Sequence, residues 1–252
     1  MRSRFVFFAG LGGTGHHFWQ ALLRECPLCS DAPDVRHALH SWWYASHRET
    51  SDAPQKNVSE LLANHAKARD DTLWCLNVLN GDGTGMMSYP NGGSRWNMPH
   101  IDWLETAARL ANVSLTVVLL LRDAVAVEAS IDRRFHAAFA HRWTGVDPVA
   151  AAMTVQAYAL QFQLREVRNL VCIRYEVLPN LPSTLDSLLP APDTNSHGWS
   201  FSSAASRLFR VETGNHSKAA AVPQHLQSFH TASLALDEAC TYFSYPGRSR
   251  HP

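Results

Sequence analysis

Four short apolar runs punctuate the chain, at Arg4–Ala9, Thr72–Val78, Leu115–Leu121 and Leu170–Tyr175. Each is nearly continuous in Val, Ile, Leu and Phe, without the alternation of a half-exposed strand. Runs of that kind are expected of strands covered on both faces, as in a parallel sheet. Between them, apolar positions recur at helical spacing. Phe18, Leu22 and Cys26 stand at i, i+4 and i+8 of Gly15–Cys26, and Val58, Leu61, Leu62 and His65 share one side of Asn57–Ala68. Ile101, Leu104, Ala108 and Ala111 are in phase over Ile101–Ala111, and Val155, Ala159, Phe162 and Val167 lie near one stripe of Val149–Val167. A closing helix is expected over Ala232–Phe243. Strands alternating with helices predict an α/β domain with a central parallel sheet flanked by helices.

Two segments break this pattern. Asn80–Pro99 is rich in Gly, Asn, Ser and Pro and follows the second strand. In a parallel sheet such a loop lies at the carboxyl edge, where ligands bind. Pro179–His197 reads as an irregular connection. No repeat divides the chain, so residues 1–252 are expected to form one domain.

At 46% hydrophobic and 17% charged, the chain can bury a sizeable core. Lys+Arg and Asp+Glu are both 22, so the formal net charge is zero. That balance gives no global pull toward nucleic acid or an anionic membrane, and any anion site must be local. No apolar run approaches the ~18 residues of a membrane span. The N-terminal MRSRFVFFAG runs straight into glycines and reads as a first strand, not a signal peptide. A cytoplasmic location is therefore expected, or the Golgi lumen if an anchor has been removed. Oligomeric state is left open. The five cysteines, 26, 29, 75, 172 and 240, are an odd number, so no disulfide framework is expected. Cys26 and Cys29 form a lone C-x-x-C without the second pair a zinc site needs. All five read as structural.

The first strand runs into GLGGTGHHFW, Gly10 to Trp19. Gly10 and Gly15 carry the G-x-x-x-x-G spacing of a P-loop. Such glycines let successive backbone N–H groups point into one concave nest, and the following helix adds its positive end. A Walker loop would continue with Lys and then Ser or Thr, whereas His16 and His17 stand there. The lysine that reaches the phosphates and the hydroxyl that holds Mg²⁺ are both missing, which disfavours a P-loop kinase. Gly10, Gly12 and Gly15 also fit G-x-G-x-x-G, but no acidic residue ends a second strand at the Rossmann distance.

A second anion-binding pattern lies in LLLRDAVAVEASIDRRF. Arg122 is placed at the carboxyl end of the third strand and Ser130 eight residues on, in a helix. Arginine offers a planar fork to a phosphate, and serine adds a hydroxyl donor. A main-chain nest and an Arg–Ser pair on adjacent strands would together fit a nucleotide that carries phosphate at two places.

These two segments resemble the 5′-phosphosulfate loop and the 3′-phosphate motif of the sulfotransferases that use 3′-phosphoadenosine 5′-phosphosulfate (PAPS). Arg122 and Ser130 reproduce the family's Arg-to-Ser spacing. IRYEVL, Ile173–Leu178, resembles the family's Tyr-Glu stretch, which places Tyr175 near the adenine. LDEACTYFSYPG resembles the closing helix of carbohydrate-type members. The resemblance implies a P-loop-like three-layer sandwich with a central parallel sheet flanked by helices, and transfer of a sulfonyl group from PAPS to a hydroxyl or amine of a small molecule or glycan, with 3′,5′-adenosine bisphosphate (PAP) as product and no metal required. It implies nucleotide contacts at Gly12, Gly13, Thr14, Gly15, His16, His17, Arg122, Ser130 and Tyr175. The late basic motif that also grips the 3′-phosphate is not recognisable, and Lys218 or Arg210 would have to serve. By the same comparison Gly13 stands where the family carries a basic residue.

For the acid–base step, His16 and His17 are candidates by position, and Asp82 and Tyr89 by their place after the second strand. The acceptor pocket is expected from Asn80–Pro99 and from SWWYASHRE, where Trp42, Trp43 and Tyr44 could stack on a sugar or planar ring. Two alternatives stand beside this reading. One is a P-loop nucleotide or metabolite kinase, and the other a non-catalytic homologue that keeps the nucleotide site.

Overall fold

In the computed structural model the described residues are 4–11, 13–25, 29–30, 53–68, 73–77, 101–130, 148–165, 167–176, 200, 203–207 and 221–243. They form five strands and the helices around them. The order is β1 (Arg4–Gly10), α1 (His16–Glu25), β2 (Cys29–Ser30), α2 (Ala53–Ala68), β3 (Leu73–Asn77), α3 (Ile101–Leu110), β4 (Ser114–Leu121), α4 (residues 124–130), α5 (Pro148–Leu164), β5 (Leu170–Arg174) and α6 (Gln227–Phe243). A short 3₁₀ turn, Gln224–Leu226, leads into α6.

The strands make one parallel sheet in the order β2-β3-β1-β4-β5. β1 is central, with Phe5 paired to Trp74 of β3 on one side and to Leu115 of β4 on the other. After β1 the chain runs to the outer strand β2 and returns inward to β3, which pairs with β1. It then crosses to β4 and builds outward on the other side. The crevice between the carboxyl ends of β1 and β4 is therefore the switch point at which ligands bind in such sheets.

Both faces of the sheet are covered, which explains the unbroken apolar runs. Phe5, Phe7 and Ala9 join Leu115, Val117, Leu119 and Leu121 in a core shared with α2, α3, α5 and α6. Val6 and Phe8 point to the opposite face and are equally buried. There Phe8 packs on Trp19 of α1, ring centroids 4.9 Å apart.

The expected strands are present with shifts of one residue at their ends, and β2 was not anticipated. Two helices start earlier than expected, α2 at Ala53 and α6 at Gln227. The expected buried stripe of α5 is wrong. Val155 and Phe162 are 52% and 68% exposed, while Met153, Gln156, Ala157, Leu160, Gln163 and Leu164 face inward. This helix is apolar on nearly every side, so spacing alone could not choose its buried face.

The cysteine expectation is also corrected. Cys172 of β5 and Cys240 of α6 form a disulfide that closes a 68-residue separation. An odd total excludes nothing about one pair, and α6 packs directly on β5. In the chain-entropy account a loop of that length contributes about 4 kcal/mol. No helix among the described residues is long and apolar enough to cross a membrane.

Candidate functional site

The carboxyl ends of β1, β4 and β5 bring together the residues that the sequence set far apart. The loop after β1 turns at Leu11, whose carbonyl accepts both the Thr14 amide, at 3.2 Å, and the Thr14 hydroxyl, at 2.6 Å. Gly13 and Gly15 have φ of +81° and +103°. Successive residues of that alternating kind make the backbone concave. The Gly15 carbonyl then accepts the Trp19 amide at 3.2 Å, so α1 starts with its first turn of N–H groups at the loop.

Neighbouring elements explain why these two positions are glycine. A Cβ on Gly13 would lie 2.9 Å from the Val127 carbonyl oxygen and 3.3 Å from the Ser130 Cβ, both on α4. A Cβ on Gly15 would lie 2.6 Å from the ring of Tyr175. Thus Ser130 and Tyr175 both stand against the loop.

Arg122, the first residue past β4, joins the remaining pieces. Its Nη1 donates to the Gly13 carbonyl at 2.8 Å, and its guanidinium lies 4.3 Å from the Tyr175 ring centroid. Tyr175 is buried and meets Phe18 of α1 edge to face at 5.9 Å. Asp123 caps α4: its Oδ1 accepts the amides of Val125 at 3.0 Å and Ala126 at 3.2 Å. Its own amide donates to Glu176 Oε1 at 2.7 Å, which ties the end of β5 to the end of β4. The capping role accounts for an aspartate in this position without a metal.

On the α6 side of Arg122 a cavity of about 60 Å³ opens, lined among others by Leu11, Thr14, Asp123, His230 and Asp237. Across it the Arg174 guanidinium engages the Asp237 carboxylate through two nitrogens, with Nε to Oδ1 at 3.0 Å. Nothing in the spacing of Arg174, His230 and Asp237 marked them in advance. Glu176 could have been found, since it directly follows Tyr175.

Of the residues expected at the site, the structure therefore gathers Gly13, Thr14, Gly15, Arg122, Ser130 and Tyr175. Thr14 serves the turn, because its hydroxyl and its amide both bond Leu11. His16 and His17 open α1, and their side chains lie outside the described residues. Gly12, Asp82, Tyr89, Arg210, Lys218 and the aromatic segment at Trp42, Trp43 and Tyr44 lie outside them as well. Among the described residues no group of three or more His, Cys, Asp or Glu is placed to hold a metal ion.

No family model matches the chain, and no curated protein is similar enough to match it.

Proposed function

We propose that this chain is a P-loop-like, PAPS-dependent sulfotransferase acting on a hydroxyl or amine of a small molecule or glycan. The observation that supports it most is the convergence of Gly13, Gly15, Arg122, Ser130 and Tyr175 at the carboxyl ends of β1, β4 and β5. A glycine nest beside an Arg–Ser pair suits a nucleotide with phosphate at both the 5′ and 3′ positions.

In this reading the loop amides at the start of α1 hold the 5′-phosphosulfate. Arg122 and Ser130 anchor the 3′-phosphate. A guanidinium carries five N–H donors, so a bond to Gly13 is compatible with a fork onto phosphate. Tyr175 borders the adenine. The acceptor oxygen or nitrogen attacks the sulfur in line, and the bond from sulfur to the nucleotide's phosphate oxygen breaks as PAP leaves. Position and charge stabilisation are the protein's main contributions.

One observation keeps a second reading in play. The basic residue that the family carries before its Ser-Gly-Thr has no room at Gly13, where α4 meets the backbone. A non-catalytic member that binds nucleotide without transferring sulfonyl would tolerate that loss. In the catalytic reading Arg122, bonded to the Gly13 carbonyl, brings a positive charge to the loop.

Thermal unfolding with added nucleotide tests the proposal, because a ligand that binds only the folded chain raises the melting temperature. PAP should stabilise the protein and ATP with Mg²⁺ should not; the opposite pattern would favour the kinase alternative. Transfer of labelled sulfonyl from PAPS to a panel of acceptors then separates the active from the silent member.

A further inference from the structure

Among the described strands β5 lies at the edge of the sheet, and its ladder with β4 ends at the pair Leu121 and Arg174. Tyr175 and Glu176 come immediately after. They are the residues that reach across to Gly15, Arg122 and Asp123. Besides the ladder and those contacts, α6 braces this strand from one face. Cys172 and Arg174 alternate along β5 and so share one face. Asp237 and Cys240 are three apart on α6 and share one face of the helix. The disulfide and the Arg174–Asp237 pair thus form two adjacent cross-links. Tyr175, just past the strand, meets Phe18 of α1.

The two links are not equal. Arg174 and Asp237 are both partly exposed, and exposed ion pairs contribute little. The covalent link is the stronger one. Cys240 is buried and Cys172 only partly so, which makes the Cys172 side the one a reductant would approach.

We infer that the Cys172–Cys240 disulfide positions Tyr175 and Glu176 for the site, so that the oxidised chain is the form that binds nucleotide well. Its binding readout rests on the nucleotide reading above. A dithiol opens the link by thiol–disulfide exchange. Two electrons and two protons pass to Cys172 and Cys240, which become thiols, and the dithiol becomes a disulfide. Compartments that preserve disulfides would keep the binding form.

The test compares the full-length chain oxidised and after dithiothreitol, at a temperature where circular dichroism shows both forms folded. Peptide mapping with alkylation should find Cys172 joined to Cys240 before reduction. Calorimetry should show PAP binding weakened roughly three- to tenfold on reduction, the cost of re-ordering one or two side chains. The double variant Cys172→Ala/Cys240→Ala should bind like the reduced chain and ignore the dithiol, which excludes the other cysteines. In Tyr175→Ala the redox dependence should shrink toward unity, because the positioned ring is gone.

A link that served stability alone would lower the melting temperature and leave the low-temperature affinity unchanged. That result overturns the inference, as does an undiminished redox response in Tyr175→Ala or free thiols at both positions in the oxidised chain. Should PAP bind neither form, the nucleotide reading fails instead. Hydrogen exchange then decides the positioning role: amides at 173–176 should exchange faster on reduction while β1 is unaffected, and unchanged protection at 173–176 overturns it.

Discussion

The guanidinium carbon of Arg122 stands 4.3 Å from the ring centroid of Tyr175, and the same guanidinium donates to the Gly13 carbonyl at 2.8 Å. One side chain at the end of β4 therefore touches both the glycine loop after β1 and the residue after β5. Its charge lies against the negative face of the ring, an attraction of about 0.5–2 kcal/mol.

Removing that side chain should show most clearly in binding. Arg122→Ala is expected to weaken PAP affinity roughly 10- to 100-fold, the usual worth of a charge-assisted fork. Arg122→Lys should recover only part, since an ammonium lacks the planar fork. Isothermal titration measures both; an unaltered dissociation constant for Arg122→Ala would place the 3′-phosphate elsewhere.

The loop glycines give a stability prediction. Gly13→Ala sets a Cβ at φ +81° and 2.9 Å from the Val127 carbonyl oxygen. Strain of this kind costs about 1–3 kcal/mol, so the urea midpoint should fall. Gly15→Ala should cost both stability and PAP affinity, because its Cβ displaces the Tyr175 ring. A Gly13→Ala chain that unfolds at the wild-type midpoint would contradict the loop geometry.

Burial pushes the Glu105 carboxyl above its usual range, and the charges of Arg168 and Arg109 and a backbone hydrogen bond only partly oppose this. The folded chain therefore holds that proton more tightly than the unfolded chain. By linkage, this contribution to stability is full below the unfolded carboxylate value, near pH 4.3, and is lost as pH rises through the higher folded value. Glu105→Gln should flatten the decline in stability just above the ordinary carboxylate range. It should leave the chain at least as stable as wild type at neutral pH. Urea unfolding from about pH 4 to pH 8 follows both effects; a steeper decline in the variant would refute the assignment.

Two buried glutamines on α5 should behave oppositely. Gln163 Oε1 accepts the Ile101 amide at 3.1 Å and so caps the start of α3. Gln156 Oε1 is buried without a partner among the described residues. Gln163→Leu should cost about 1–3 kcal/mol, because it strands that amide. Gln156→Leu should be neutral or stabilising by about 1 kcal/mol, a rise of roughly 2–4 °C in melting temperature. Equal losses in both variants would mean that Gln156 has a partner.

Much of the layout was legible beforehand, and the reasons are local. A strand covered on both faces must be apolar at consecutive positions, which is why β1 and β4 stood out. Backbone with φ near +80° to +100° strongly favours glycine, which is why the loop stood out. α5 was misread because a helix apolar all round carries no periodic signal, and its buried face is chosen by α3 and α6. The disulfide was missed because counting cysteines says nothing of which strand a helix will cover.

The sequence by itself determined the α/β alternation, the glycine loop at the end of the first strand and the candidate pair Arg122 and Ser130. These follow from side-chain size, polarity and backbone freedom, which are properties of neighbours along the chain. Only the tertiary structure decided that Arg122 bonds the loop and lies on Tyr175, that Thr14 turns inward, and that Cys172 meets Cys240. Each of those is a contact between elements distant in sequence or a choice imposed by burial. The order of strands in the sheet and the packing of α6 on β5 select such contacts, and no short window of sequence encodes them.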